Sequence, residues 1–289
     1  MAVYERTYAA HTGDLTPVNT RFLVLPRYAI GSVFQSKLFI AFFVLCLVWP
    51  LALSLLIYLP HSSKFLSVAE QLTGGAWTLK FQAYLYPTWF VIPQWILAFF
   101  MSLFIGPGLV SSDLRNNALP LYFARPLSRP NYMVGKSLVL ASLLSSITWI
   151  PGGLLFLLHS YLEGWSWFIE NLRTGVAIFL IGGIWILMLC VISLVASAYL
   201  RWKVLAAGAI FGVFLFLAIA SAMLNYFLQT DLGSLLNISD MLFTVSAWLF
   251  GVPSTSGIPV WAAWGSLLTF SAIFVGLLSR KIRAYEVVK

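Results

Sequence analysis

Leu38-Phe39-Ile40-Ala41-Phe42-Phe43-Val44-Leu45-Cys46-Leu47-Val48-Trp49-Pro50-Leu51-Ala52-Leu53-Ser54-Leu55-Leu56-Ile57-Tyr58-Leu59 runs for 22 residues without an acidic or basic side chain. Fifteen of those residues are Leu, Ile, Val or Phe. Each contributes roughly 0.3–0.6 kcal/mol to bilayer insertion, whereas one buried Lys or Asp costs about 3 kcal/mol. At about 1.5 Å rise per residue, some 20 residues cross a hydrocarbon core of about 30 Å. The stretch therefore predicts a transmembrane helix. Five more runs of the same kind follow: Thr88–Val110, Leu138–Leu158, Gly175–Leu200, Val204–Leu224 and Ile258–Leu278. None contains Lys, Arg, Asp or Glu. The predicted fold class is an all-α polytopic membrane protein of six transmembrane helices.

Composition agrees. The chain is 61% hydrophobic and 9% charged, against roughly 25% charged in soluble domains. Residues 38–289 read as one membrane domain, preceded by the cytoplasmic segment 1–37. The net charge of +8 is distributed by loop and forms no basic patch interleaved with aromatics, which argues against nucleic acid. Basic residues number four before the first span, four in the second loop, two in the fourth and four after the last span. The first, third and fifth loops hold two, one and none. Fourteen against three places both termini in the cytoplasm by the positive-inside bias. The expected location is the inner membrane of a bacterium, with the first span serving as an uncleaved targeting signal.

Before the first span, Pro26 suits the first turn of a helix. Ile30, Val33 and Phe34 then recur at helical spacing opposite Ser32, Gln35 and Ser36, which predicts a short interfacial helix. Two outer loops are long, 60–87 and 225–257. In the second, Met241–Phe250 is apolar but too short to span, which predicts a re-entrant or interfacial helix. Pro50, Pro93 and Pro151 fall inside the first three spans as static kinks or hinges. Trp77, Trp89, Trp165, Trp167, Trp202 and Trp261 lie near predicted borders, where interface anchoring explains them. Cys46 and Cys190 lie within spans and read as small apolar fillers.

Ion-coupled transport usually requires ionisable side chains within the membrane, and the apolar runs carry none. His11, His61 and His159 are scattered, without the spacing of a metal or catalytic site. No Gly-x-x-x-x-Gly-Lys-Ser loop occurs, so ATP binding by that route is excluded. Neither an enzyme site nor a cofactor is expected in this chain. Gln94 and Trp95 lie deeper in the second span and are candidates for lining a substrate path.

The most informative loop is 111–137, on the cytoplasmic side. Ser112 or Asp113 suits a helix N-cap. Leu114, Leu119 and Leu121-Tyr122 supply an apolar edge, and Arg125-Pro126 ends regularity. A short amphipathic helix there suits docking into a groove of a soluble partner; a solvated basic loop is the alternative.

Asp113, Ala118-Leu119, Arg125-Pro126-Leu127-Ser128-Arg129, Tyr132 and Gly135-Lys136 resemble the signature loop of ABC-type export permeases of the second permease class. The ending Leu278-Ser279-Arg280-Lys281-Ile282-Arg283 is similar to that family's basic exit from its last span. Asn117-Ala118 departs from the family's Gly-Thr. The resemblance implies a permease subunit whose loop is a coupling helix for a separate cytoplasmic ABC ATPase. Two copies of the ATPase, which binds ATP and Mg, would serve a pair of permease subunits, the second being the same chain or a relative. Asp113, Leu114, Arg115, Asn116 and Leu119 are then the expected ATPase contacts, while Arg125, Arg129 and Lys136 anchor the loop at anionic headgroups. An ATP-independent channel, scramblase or facilitator is the alternative function.

Overall fold

A computed structural model describes residues 22–73, 81–118, 122, 128–254 and 256–281. Among these no strand forms. Six helical stretches are long and apolar enough to cross a membrane: Lys37–His61, Ala83–Arg115, Pro130–Glu163, Leu172–Tyr199, Lys203–Leu228 and Val260–Lys281. The chain is an all-α, multi-pass membrane protein.

The predicted interfacial helix is present as α1 (Val24–Val33), with Pro26 buried in its first turn. Ala29, Ile30 and Val33 face the core, and Ser32, Gln35 and Ser36 are exposed. Ser36 caps the next helix, α2 (Lys37–Tyr58), by accepting the Phe39 N–H. Helix α3 (Ser63–Thr73) follows at the far end.

The second and third spans are longer than predicted, and both are broken. The second begins with a π-turn over Tyr86–Val91, continues as α4 (Ile92–Ile105), bends at Gly106-Pro107 and ends as α5 (Gly108–Arg115). The third comprises α6 (Arg129–Ile147) and α7 (Trp149–Glu163), separated at Thr148, which leaves helical geometry at φ −107° and ψ −98°. Pro93 and Pro151 thus open helical segments just after breaks, and Pro50 alone lies within a continuous helix.

Short α8 (Trp165–Glu170) leads into α9 (Leu172–Tyr199), the central post, which touches α4, α5, α6, α7, α10 (Lys203–Leu228), α11 (Ile238–Phe250) and α12 (Val260–Lys281). Fifteen residues of α9 are buried. Helix α10 buries only Ala206, Ile210 and Ser221, and α12 only Ala263, Leu267 and Leu278. Apolar side chains that would be costly to expose in water are stable on these faces because lipid is the solvent. Helix α11 is the short helix predicted from length; at 13 residues it does not span.

The bundle has two distinct ends. At the basic end lie α1, the end of α5, the start of α6, the Arg201-Trp202 turn and the close of α12, where Lys281 stands over the Tyr199 ring. The other end carries α3, the α7–α8 corner and α11.

Candidate functional site

Proline within a membrane helix frees a carbonyl that water cannot reach, so a neighbour must supply the donor. Pro50 lacks the N–H that would bond Cys46 O; the Gln94 amide donates to that oxygen instead, at 3.2 Å. In return the Trp49 indole donates to Trp89 O, in the π-turn before Pro93, at 2.6 Å. Spans one and two are therefore joined by two side-chain-to-backbone bonds, one donated by each. Gln94 is 1% exposed, and its amide nitrogen is a structural donor to backbone while its Oε1 has no hydrogen-bond partner among the described residues.

Trp95, the neighbouring residue of α4, has a different setting. It lines a largely apolar cleft of about 380 Å³ with Phe99, Trp185, Phe211, Phe214 and Phe243, bounded by α4, α9, α10 and α11. The Trp185 indole donates to Trp95 O at 3.3 Å. Exposed Ile96, Phe211 and Leu215 continue the cleft onto the bundle's outer face.

The Gly106-Pro107 bend is held by one side chain of α9. Ser197 Oγ accepts the N–H groups of Val110 and Ser111, both at 2.8 Å, and donates to Pro107 O at 2.9 Å. Two of the first four N–H groups of α5, which no helix can satisfy internally, are thus met from outside. Gly106 is required by contact: a Cβ there would lie 2.6 Å from Ser193 Cβ and from Ser102 O.

Helix α5 then carries the residues expected to contact a partner, but in a different setting. Asp113 and Ser112 do not open a new helix; they lie in the last turns of α5, which ends at Asn116. Ala118 N–H bonds Asp113 O at 2.8 Å and Asn117 N–H bonds Leu114 O at 3.4 Å, the double closure of a Schellman motif. Asn117 takes φ 50°, a left-handed conformation that Gly adopts freely and Asn best among the rest. Asn117 thus supplies the left-handed residue that closes α5.

Asp113 points inward. Its Oδ2 accepts the Tyr132 hydroxyl at 2.6 Å and lies 2.8 Å from Lys136 Nζ. Lys136 also stands 5.6 Å over the Tyr132 ring, and the Tyr122 ring is 5.6 Å from that of Tyr132. Asp113 and Lys136 side chains are 13% and 12% exposed, and Tyr132 is fully buried. Burial, then the Asp113 carboxylate, raises the Tyr122 phenol above its ordinary pKa. Lys136 is therefore paired within the protein instead of anchored at headgroups. Leu114 packs partly against the core, leaving Arg115 and Asn116 as the exposed members of the expected contact. Arg129 is the first residue of α6. Leu119 and Arg125 lie outside the described residues.

At the far end, Arg173 from α9 donates through Nε to Leu249 O at 2.8 Å and through Nη2 to Trp248 O. A cation thereby closes the C-terminus of α11. His159 is buried between Tyr86 and Trp167, with ring centroids 6.2 and 4.1 Å away, and His61 lies 3.3 Å from Glu163.

Ser197 and Gly106 were missed by sequence reasoning, as was the pairing of Tyr132 with Asp113. Gly106-Pro107 is a turn signal hidden inside an apolar run, and Tyr132 lies one helical turn before Lys136. Nothing in sequence marks Ser197, whose role depends on where α9 crosses α5. No protein-family model matches this chain, and no curated protein matches it.

Proposed function

We propose that the chain is the transmembrane permease subunit of an ATP-driven exporter, with ATP and Mg bound by a separate cytoplasmic ABC ATPase. Two permease subunits and two ATPases form the transporter, with both permease termini cytoplasmic. One observation carries the reading: the Asp113–Tyr132–Lys136 clamp joins the two spans at the base of the loop that resembles the export-permease signature. The clamp lies two helical turns beyond the Gly106-Pro107 bend. A push on the exposed corner at Arg115, Asn116 and Asn117 would reach α6 through the clamp, and α4 and α9 through the bend. Broken helices satisfied by neighbours are the elements that shift as units in switching proteins.

The sequence adds support: six apolar runs without an acidic or basic residue, in a chain without a nucleotide loop, need an external energy source for uphill transport. A tagged full-length chain, extracted in mild detergent, should retain a soluble ATPase whose turnover it stimulates. Arg115→Glu with Asn116→Lys should abolish stimulation while leaving thermal stability unchanged. Full stimulation in that variant removes the docking role. Vectorial cargo movement by the purified chain alone, without ATPase, favours the channel, scramblase or facilitator reading, for which the flank-facing aromatic cleft is the relevant feature.

A further inference from the structure

At the basic end a cavity of about 370 Å³ opens between α1, the start of α2, the bend before α5, α6 and the start of α10. Apolar residues that line it include Phe39, Phe104, Ile105 and Leu109. Ser32, Ser36, Ser112, Lys136 and Lys203 are its polar and basic lining. The volume and the mixture of apolar wall with few polar groups are those of a ligand site.

Charge selects the ligand. Lys136 is neutralised by Asp113 at 2.8 Å. Lys203 has no carboxylate within ion-pair distance among the described residues. The cavity thus holds a surplus of one positive charge, supplemented by the positive end of the 22-residue α2 that Ser36 caps. Lys203 also reaches the bend: its Nζ lies 3.7 Å from where a Cβ on Gly108 would stand. Leu38 and Phe104, which line the cavity, are exposed on the bundle's lipid-compatible surface. A free anion gains nothing from those walls, whereas an acyl chain does.

We propose that this cavity binds the headgroup of an acidic phospholipid, its single phosphodiester charge against Lys203 and the Ser32 and Ser36 hydroxyls, its chains along Leu38 and Phe104. Basic pockets between spans at the membrane surface bind anionic headgroups in this way. The site does not depend on the proposed function, because lipid binding requires no ATPase.

The test uses the purified full chain in mild detergent, titrated with phosphatidylglycerol, phosphatidylcholine or inorganic phosphate, with thermal protection as readout. Phosphatidylglycerol should protect at several-fold lower concentration than phosphatidylcholine. Lys203→Gln should weaken that protection about fivefold, the equivalent of the roughly 1 kcal/mol one lysine contributes at an anionic surface. Lys203→Arg should retain it, and Arg201→Gln, an exposed neighbouring cation outside the cavity, should leave it unchanged. An unchanged lipid-free midpoint shows that Lys203→Gln folds. Equal protection by both lipids overturns the proposal. So does protection by inorganic phosphate matching phosphatidylglycerol, or equal loss on Arg201→Gln and Lys203→Gln.

Discussion

Gln94→Leu should destabilise the chain by about 1–2 kcal/mol, and the loss should vanish when Pro50 is replaced by Ala. The Gln94 amide supplies to Cys46 O the bond that Pro50 cannot make, at a site where Gln94 is 1% and Cys46 0% exposed. Leaving a buried carbonyl unpaired costs about 1–3 kcal/mol. Interhelical hydrogen bonds in membranes average nearer 0.6 kcal/mol and reach about 1.7, which sets the upper part of the range expected here. Pro50→Ala restores an N–H four residues beyond Cys46, in a helix that is continuous through position 50, so the carbonyl becomes satisfied within α2. In that background Gln94 is a buried amide without its acceptor, and Leu at position 94 should be neutral or stabilising. The four proteins of the cycle, unfolded thermally in one detergent, isolate a coupling of at least about 1 kcal/mol, since the volume changes of each substitution cancel. Equal cost of Gln94→Leu in both backgrounds would refute the exchange of donors.

Asp113→Asn should lower stability by about 2–4 kcal/mol by leaving Lys136 nearly buried and unpaired, and the Asp113→Lys/Lys136→Asp double variant should recover at least half of the shift in thermal midpoint. Asn117→Gly should raise stability by a few tenths to about 1 kcal/mol, and Asn117→Val should lower it by about 1–2 kcal/mol, because φ 50° is strained for a β-branched residue. Arg173→Ala should cost about 1.5–3 kcal/mol and accelerate amide exchange near 247–251, with Arg173→Lys recovering only part, since a single ammonium cannot reproduce the fork. Ser197→Ala should cost about 1–3 kcal/mol by orphaning the Val110 and Ser111 N–H groups, and exchange at those two amides should rise more than elsewhere in α5.

Length and apolarity made the six spans legible, because a bilayer core imposes both on every crossing helix. The same reasoning placed α1 from the Pro26 and Ile30/Val33 pattern and α11 from a run too short to cross. The breaks were less visible. Gly106-Pro107 is surrounded by residues that favour insertion, so hydropathy averages over it. The Ser112-Asp113 pair carries a local signal that fits either the first or the last turn of a helix; the left-handed Asn117 decides for the last. Gln94 was read by depth alone, and its task depends on a proline 44 positions earlier whose carbonyl partner faces it only after α2 and α4 meet. Asp113 and Lys136 were each assigned outward-facing roles because nothing local reports that two residues 23 positions apart meet at a helix crossing.

The breaks follow one rule. In lipid, an unpaired N–H or C=O has no water to turn to, so a helix is interrupted only where another segment supplies its bonds. At Pro50 the supply is the Gln94 amide, which locks α2 to α4. At Gly106-Pro107 it comes from one hydroxyl, Ser197, which makes three bonds at once. Displacing α5 from α9 must break those three together, at a net cost on the order of 0.5–1.5 kcal/mol each. Motion at this bend therefore has a threshold, and the bend yields as a unit or not at all. The clamp on Asp113 lies two helical turns beyond it and the Lys203 cavity beside it, so any force applied to the Arg115–Asn117 corner, and any lipid seated against Lys203, act on the same small set of hydrogen bonds.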